Sequence, residues 1–118
     1  MKYLVLLMDD GDERPWNEMT DAEQGELMAK FGAFDAVCAA REGVEILSGE
    51  ALGAPETFTT VRTRGGHVQL TDGPYAEAIE GLGGFYLVEV PDLDVLLEVI
   101  TELPAYDLQL VPALEMPE

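Results

Sequence analysis

A Gly-Gly pair between two alternating runs constrains the fold of this chain more than any other sequence feature. Apolar and polar side chains alternate over 58–63 and again over 68–71, and only Arg-Gly-Gly-His lies between them. Two glycines in so short a connection are typical of a β-hairpin, because they accept the positive φ angles that the turn requires. The turn places Arg64 opposite His67, and counting along the strands then places Thr59 opposite Asp72.

This register divides the hairpin side chains between two faces. Val61, Val68 and Leu70 share one face with Asp72, and we expect that face to turn inward. Burial there would raise the affinity of the Asp72 carboxylate for protons unless backbone amides satisfy it. Asp72 is therefore a candidate general acid, general base or ligand anchor. The alternative is a turn cap ahead of Pro74, which the spacing alone favours.

The clearest helix is predicted to begin at Thr20. Thr20-Asp21-Ala22-Glu23 is a capping box, in which the Thr and Glu side chains satisfy free amides of the first turn. An apolar stripe follows at helical spacing. It comprises Leu27, Phe31, Phe34 and Cys38. Because Cys38 lies on this stripe, we interpret it as a small buried thiol and not as a nucleophile.

The remaining elements complete an order of strand, helix, strand, hairpin, strand, helix and strand. The sequence predicts strands at 3–8, 44–47, 85–90 and 108–111, with Ser48-Gly49-Glu50 breaking the second of them. A short helix is predicted from Pro74 to about Glu80. A longer one is capped by Asp92, has a stripe of Leu93, Leu96, Leu97 and Ile100, and is stopped by Pro104. The predicted fold is one α+β domain over residues 1–118, a ferredoxin-like antiparallel sheet with an inserted β-hairpin and its helices on one face.

Such a sheet leaves its second face open. In a chain this small a second copy is the natural cover, so we expect a homodimer. The central apolar strand 3–8 does not alternate, which predicts that both of its faces are covered.

The charge balance excludes several classes of partner. The chain holds 24 acidic and six basic residues, a net charge of −18, and no base follows Arg64. That charge repels phosphate backbones and anionic lipid, so we expect no nucleic acid and no membrane partner. No apolar run has the length of a membrane span or of a secretory signal. Together with the single cysteine, this predicts a cytoplasmic protein.

Residue counts exclude several standard chemistries. Ser48, His67 and Cys38 are the only residues of their types, and Ser48 lacks the glycine two positions before it that a nucleophile elbow needs. One Cys and one His do not make a zinc ligand set. The glycines at 81, 83 and 84 precede a strand, which is the wrong order for a dinucleotide-binding loop. The acidic run 9–13 lacks the calcium-loop spacing, and we interpret it as an exposed loop. We expect no metal and no cofactor.

Polar residues around the hairpin form the candidate site. Arg62 and Arg64 lie on one face and would suit a carboxylate or a phosphate, although pairing with a surface Glu or a partner subunit fits equally well. Glu50 follows a predicted strand end and could reach the region of Asp72. Trp16 either caps a pocket or packs its loop onto the first helix, and packing is the simpler interpretation.

Several motifs occur in an order that resembles the DGPF-domain proteins of the YCII-related family, over nearly the whole chain. They are Lys2-Tyr3, Trp16, Ser48-Gly49-Glu50-Ala51-Leu52, Thr60-Val61-Arg62, Thr71-Asp72-Gly73-Pro74-Tyr75-Ala76-Glu77 and Leu82-Gly83-Gly84-Phe85-Tyr86-Leu87. The resemblance implies a ferredoxin-like fold that pairs into a dimeric α/β barrel, with a cleft near Asp72. Such proteins often accompany sigma factors, and most lack an established reaction.

The chain also departs from the family pattern. A His-Asp pair proposed for smaller members does not carry over, because His67 lies at the hairpin turn. Tyr75 replaces the usual Phe, and Ala78-Ile79-Glu80 stands where a lysine-bearing segment is common. Val111 precedes Pro112 where Arg is usual. The two lost bases leave Arg62 and Arg64 as the only supports for an anion site near the hairpin.

These observations give two functional hypotheses. The first is a small-ligand-binding protein or weak enzyme, whose cleft is formed by Glu50, Arg62, Asp72 and Tyr75. The second is a non-catalytic dimeric accessory module that contacts a protein partner such as a transcription regulator. A concave pocket with convergent polar groups favours the first, and a filled cleft favours the second.

Overall fold

The computed structural model describes residues 1–8, 16–75 and 81–116. Its six strands are β1 (Lys2–Met8), β2 (Glu45–Ala51), β3 (Thr59–Arg64), β4 (His67–Asp72), β5 (Leu82–Glu89) and β6 (Asp107–Pro112). Its two α-helices are α1 (Asp21–Ala40) and α2 (Leu93–Val99), and short 3₁₀ turns span Trp16–Glu18, Pro55–Thr57 and Ile100–Glu102. The acidic run 9–13 and the segment 76–80 lie outside the described residues.

Four strands form one antiparallel sheet in the order β2–β5–β1–β6. The apolar strand β1 lies at the centre, where it pairs with β5 on one side and β6 on the other. Both helices pack on the same face of this sheet, because the buried residues of α1 and α2 belong to one core cluster with the buried residues of β1, which share one face. The predicted ferredoxin-like α+β architecture with helices on one face is confirmed.

The capping box and the second half of the apolar stripe of α1 form as predicted. The Thr20 hydroxyl accepts the Glu23 amide at 3.1 Å, and the Glu23 carboxylate accepts the Thr20 amide at 3.2 Å. Phe34 and Cys38 are fully buried in the core, whereas Leu27 is only half-buried. The N-terminal half of α1 is therefore less tightly packed on the sheet than the C-terminal half.

The predicted break at Ser48-Gly49-Glu50 is wrong, because β2 continues to Ala51. A register shift between Ile46 and Ser48 absorbs one extra residue, so the strand bends without ending. Gly49 then lies beside the Tyr86 ring, and a Cβ at this position would approach Tyr86 Cδ1 to 2.7 Å. The glycine serves a close approach inside a strand, and the same holds for Gly84 in β5, which begins at Leu82 and not at Phe85.

The hairpin has the predicted register, from Thr59 opposite Asp72 to Arg64 opposite His67. Both turn glycines have positive φ angles, 57° at Gly65 and 82° at Gly66. The strands β3 and β4 nevertheless form a sheet of their own, separate from the main sheet.

The predicted inward face of this hairpin is wrong. Val61, Val68 and Leu70 are 58%, 64% and 70% exposed, and Asp72 is exposed with them. The buried residue is Thr60, on the opposite face, whose hydroxyl donates to the Gly73 carbonyl at 2.8 Å. The alternating sequence pattern correctly predicts which residues pair across the hairpin. Within one chain, the buried contact of the hairpin is the hydrogen bond from Thr60 to Gly73 at its base.

The α2 region agrees with the sequence in its cap and partly in its stripe. Asp92 accepts the Val95 amide at 2.9 Å, as predicted. Leu96 is buried, but Leu93 and Leu97 are more than 40% exposed, so the predicted stripe is wrong at those two positions. Val99 is the second buried residue of the helix. The short helix predicted from Pro74 falls mostly on 76–80, outside the described residues.

The second face of the main sheet is apolar at its centre, with the polar Glu50 and Gln109 on its outer strands. Leu6 lies opposite Phe85, and Leu4 lies between Leu87 and Val111, all alternating with residues of the core face. These side chains are only partly buried, so the predicted full cover of β1 on both faces is not met within one chain. We refer to this surface as the open sheet face. Across the described ranges, no helix is long and apolar enough to cross a membrane.

Candidate functional site

A cavity of about 730 Å³ lies between the N-terminal half of α1 and the edge formed by β2 and β5. Helix α1 contributes Leu27, Met28 and Phe31, and the sheet contributes Ile46 and Tyr86 among others. Because α1 follows the end of β1, its first turns stand over the same end of the sheet where β2 ends and β5 begins. The helix side of this space is formed by Leu27 and Phe31, which are both partly buried.

The floor of the cavity is formed by glycine and alanine positions of β2 and β5. Gly49, Ala51, Gly83 and Gly84 all line it, and Gly84 pairs with Ala51 across the two strands. A Cβ at Gly84 would lie 3.1 Å from the Glu50 carbonyl oxygen and 3.2 Å from a Leu7 methyl carbon. The strands therefore approach too closely for a larger residue at this position. The cavity lies between these positions and helix α1.

Aromatic rings surround the space. Trp16, Phe31, Tyr86 and Tyr106 line it, and the Phe31 and Tyr106 ring centroids are 6.3 Å apart. The Tyr86 ring also packs on the buried Phe34, with their ring centroids 4.9 Å apart. This contact connects the cavity wall to the core. Trp16 is half-exposed at the cavity. Of the two interpretations left open for Trp16, its place in the lining favours the pocket.

The charged groups at the cavity are acidic. Asp35 and Glu50 line it, both are exposed, and none of the lining residues within the described ranges is Lys or Arg. Burial raises the pKa of Tyr86 to about 12, and the charges of Asp35 and Cys38 add to that increase. The Tyr86 hydroxyl thus stays protonated at neutral pH and offers one donor and one acceptor.

Cys38 does not take part in chemistry at this site. Burial, with a smaller contribution from the Asp35 charge, raises the pKa of its thiol to about 11. The thiol is free, buried and protonated at neutral pH, which makes it a poor nucleophile. This agrees with its interpretation as a packed core residue.

The base of the hairpin forms a second, shallower depression. It is lined by residues 58–61 together with Pro74 and Tyr75. The Arg62 guanidinium carbon lies 5.1 Å from the centre of the Tyr75 ring, a cation–π contact. Gly73, at a φ of 103°, donates its amide to the Phe58 carbonyl at 2.7 Å and closes the base of the hairpin.

The structure brings together two of the four candidate residues. Arg62 and Tyr75 are in contact at the hairpin base, whereas Asp72 lies on the hairpin face opposite to Arg62. Glu50 lines the main cavity and not the depression at the hairpin base. Arg64 donates to the neighbouring Thr63 carbonyl at 3.1 Å, near the turn. His67 is exposed at the same turn.

Sequence reasoning missed the main cavity. Its aromatic residues come from a 3₁₀ turn, a helix, a strand and the loop before β6, so no local motif connects them. The available signal was the pair of small-residue stretches, 49–51 and 83–84. As chain breaks, these stretches indicate loops. Because β2 pairs with β5, they instead form a cavity floor of glycine and alanine. Across the described ranges, no group of three or more metal-ligating side chains is present.

Comparison with protein families identifies the family of this chain. The family model of the YCII-related domain matches residues 1–116, which is nearly the full length of the chain. A search of curated proteins finds no match. The matched range includes the cavity, the hairpin and the open sheet face.

Proposed function

The chain belongs to the YCII-related domain family, and we propose that it binds a small molecule in the cavity between α1 and the β2–β5 edge. The observation that carries the proposal is the cavity itself, about 730 Å³ with aromatic walls and a few polar groups. Ligand sites of proteins typically have volumes of roughly 300–1,000 Å³ and this kind of lining.

The glycine floor supports the proposal. Protein interiors are close-packed, and a space this large under a helix forgoes contacts that larger side chains would provide. Gly83 is a position where the backbone leaves room, since a Cβ there would come no closer than 3.9 Å to its nearest neighbour, the Leu7 carbonyl oxygen. Small residues at such positions leave space that a bound ligand can occupy.

The hairpin base is proposed as a secondary part of the ligand-binding surface. Its support is the contact of Arg62 with Tyr75, which holds a cation beside a shallow depression. Asp72 is the candidate for any weak catalytic role. Its exposed position, on the hairpin face away from Arg62, favours binding over catalysis as the role of this region.

A dimeric module that contacts a protein partner, such as a transcription regulator, is the second candidate function. Two observations favour an assembly of two copies. The open sheet face is apolar at its centre, and the hairpin leaves Val61, Val68 and Leu70 exposed. An isolated two-stranded hairpin is marginal in water, so a second copy that covers these surfaces would stabilise both. We further propose a cytoplasmic location, which the free, buried Cys38 supports.

A thermal-shift screen of metabolites against three proteins tests the main proposal. The wild type is compared with Ala51→Met, which places a side chain over the cavity floor, and with Asp72→Asn at the hairpin. A cavity ligand raises the melting temperature of wild type and Asp72→Asn but not of Ala51→Met. Circular dichroism establishes that each variant is folded.

Other patterns of response decide between the sites. Compounds that lose their effect only in Asp72→Asn would move the site to the hairpin. A screen in which no compound shifts wild type would contradict ligand binding and favour the dimeric module. Size exclusion with light scattering tests the dimer separately, and a monomer at micromolar concentration would exclude it.

A further inference from the structure

We infer that the ligand of the main cavity is a cation with an apolar body, of the class of arylalkyl or alkyl ammonium compounds. The inference deepens the proposed function and rests on it. It follows from two features of the cavity, the sign of its charged groups and its aromatic lining, and from the net negative charge of the whole chain.

The charged groups of the lining are carboxylates. Asp35 lies on α1, one helical turn after Phe31, and Glu50 lies on the edge strand β2. Both side chains are exposed. Glu50 pairs with Phe85, which places its side chain on the open sheet face, so Asp35 is the carboxylate on the α1 side of the cavity. The charge of Asp35 also reaches inward, because it acts on both the Tyr86 hydroxyl and the Cys38 thiol. A carboxylate group on a ligand would meet repulsion here, and an ammonium group would meet attraction.

The aromatic rings favour the same class of ligand. Four aromatic residues line one space, Trp16, Phe31, Tyr86 and Tyr106. The negative face of an aromatic ring attracts cations, and such contacts strengthen where water is excluded. The rings also provide apolar area for the body of the ligand. A molecule with an ammonium group near Asp35 and a hydrocarbon part over the glycine floor would use both features.

The field of the whole protein acts in the same direction. At a net charge of −18, the chain concentrates small cations near its surface and repels small anions. The hairpin base is the contrasting surface, since it presents the Arg62 guanidinium, already stacked on Tyr75. An anionic ligand therefore belongs to the hairpin base, and a cationic one to the cavity.

Three probes of matched shape test the inference by isothermal titration calorimetry: 2-phenylethylammonium, 2-phenylethanol and 3-phenylpropanoate. We expect the ammonium compound to bind about tenfold more tightly than the alcohol, and the carboxylate to bind most weakly. The advantage of the ammonium compound over the alcohol shrinks as ionic strength rises, because salt screens the carboxylates.

Two variants locate the effect. Asp35→Asn removes one charge from the cavity lining, and we expect it to reduce the affinity for the ammonium compound several-fold while leaving the alcohol unchanged. Asp94→Asn is the matched control, since it removes an exposed carboxylate from α2 that does not line the cavity. An equal loss in both variants would attribute the preference to net charge alone and contradict a local site.

The remaining outcomes separate the inference from the proposed function. If the alcohol or the carboxylate binds as tightly as the ammonium compound, the cavity is a ligand site but not a cation site, and the inference is wrong. If none of the three probes binds and the metabolite screen is also empty, the proposed function fails with it.

Discussion

The main cavity and the hairpin are neighbours in the chain but opposite in character. The cavity lies between α1 and the main sheet, and its lining combines aromatic residues, the acidic Asp35 and Glu50, and glycine and alanine positions of β2 and β5. The hairpin begins eight residues after the cavity residue Ala51, yet it exposes its apolar face and carries Arg62 and Arg64. The difference shows that side-chain pattern determines pairing within an element, whereas tertiary context determines which of its faces is covered.

We expect a core substitution beside the cavity to lower the free energy of unfolding far more than a substitution on the hairpin. Phe34→Ala should lower the free energy of unfolding by about 3–5 kcal/mol, because Phe34 is fully buried beside the cavity wall. Leu70→Ala should change it by no more than about 0.5 kcal/mol in the monomer, because the side chain is 70% exposed. Urea unfolding at low protein concentration measures both. A cost for Leu70→Ala that grows with protein concentration would show that the hairpin is covered by a second copy.

Two adjacent glycines provide a sharper test of the cavity floor. Gly84→Ala should destabilise the protein by about 1–3 kcal/mol, because the new methyl group meets the Glu50 carbonyl at 3.1 Å and a Leu7 methyl at 3.2 Å. Gly83→Ala is the matched control, with no neighbour closer than 3.9 Å, and should be neutral or slightly stabilising. Thermal unfolding of the two variants decides. Equal effects would mean that the strands do not approach as closely as described.

The pH dependence of stability tests the burial of Cys38 and Tyr86, which lie at and behind the cavity wall. Folding raises the pKa of Cys38 from 9.0 to about 11 and that of Tyr86 from 10.0 to about 12. The folded state thus holds protons that the unfolded state has released, so the free energy of unfolding should fall as pH rises from about 9 to about 12. Tyr86→Phe should flatten the upper part of that fall, because it removes the group whose pKa folding raises to about 12. An unchanged profile in Tyr86→Phe would contradict the buried position of its hydroxyl.

Thiol alkylation gives an independent measure of the same environment. Native Cys38 should react with iodoacetamide far more slowly at pH 8 than the urea-unfolded protein, because its thiol is buried and protonated. Asp35→Asn should lower the pKa of the thiol, since it removes a negative charge that opposes ionisation. Asp94→Asn is the control. A reaction rate in the native state equal to that in urea would contradict the packing of α1.

A small coupling is expected at the hairpin base. A double-mutant cycle of Arg62→Ala and Tyr75→Ala should give a coupling of about 0.5–1 kcal/mol, because the cation–π contact is partly exposed to water. Denaturant unfolding of the four proteins provides the value. A coupling near zero would remove the one contact that connects two of the candidate residues.

Much of the fold was predictable because its signals are local. The capping box at Thr20, the cap at Asp92 and the Gly65-Gly66 turn each involve residues within a few positions of one another. The order of elements then limited the topology to a ferredoxin-like sheet. The family resemblance is confirmed by the match over residues 1–116.

The cavity was not predictable in the same way, because it depends on pairing between distant strands. Gly49 and Gly84 were interpreted as chain breaks, and only the alignment of β2 with β5 shows that they adjoin the same space. The inward position of Asp72 was inferred from alternation and failed for a related reason. Alternation identifies two faces of a hairpin but does not say which of them meets the rest of the chain.

Amide chemical-shift mapping with 2-phenylethylammonium tests the central claim that the acidic aromatic cavity, and not the hairpin base, is the ligand site. The account predicts that titration shifts the amide signals of Phe31, Gly49, Gly83 and Gly84, all of which line the cavity. Signals of Arg62 and Gly73, at the hairpin base, should stay in place. Shifts confined to the hairpin base, or no saturable shift anywhere, would contradict the account.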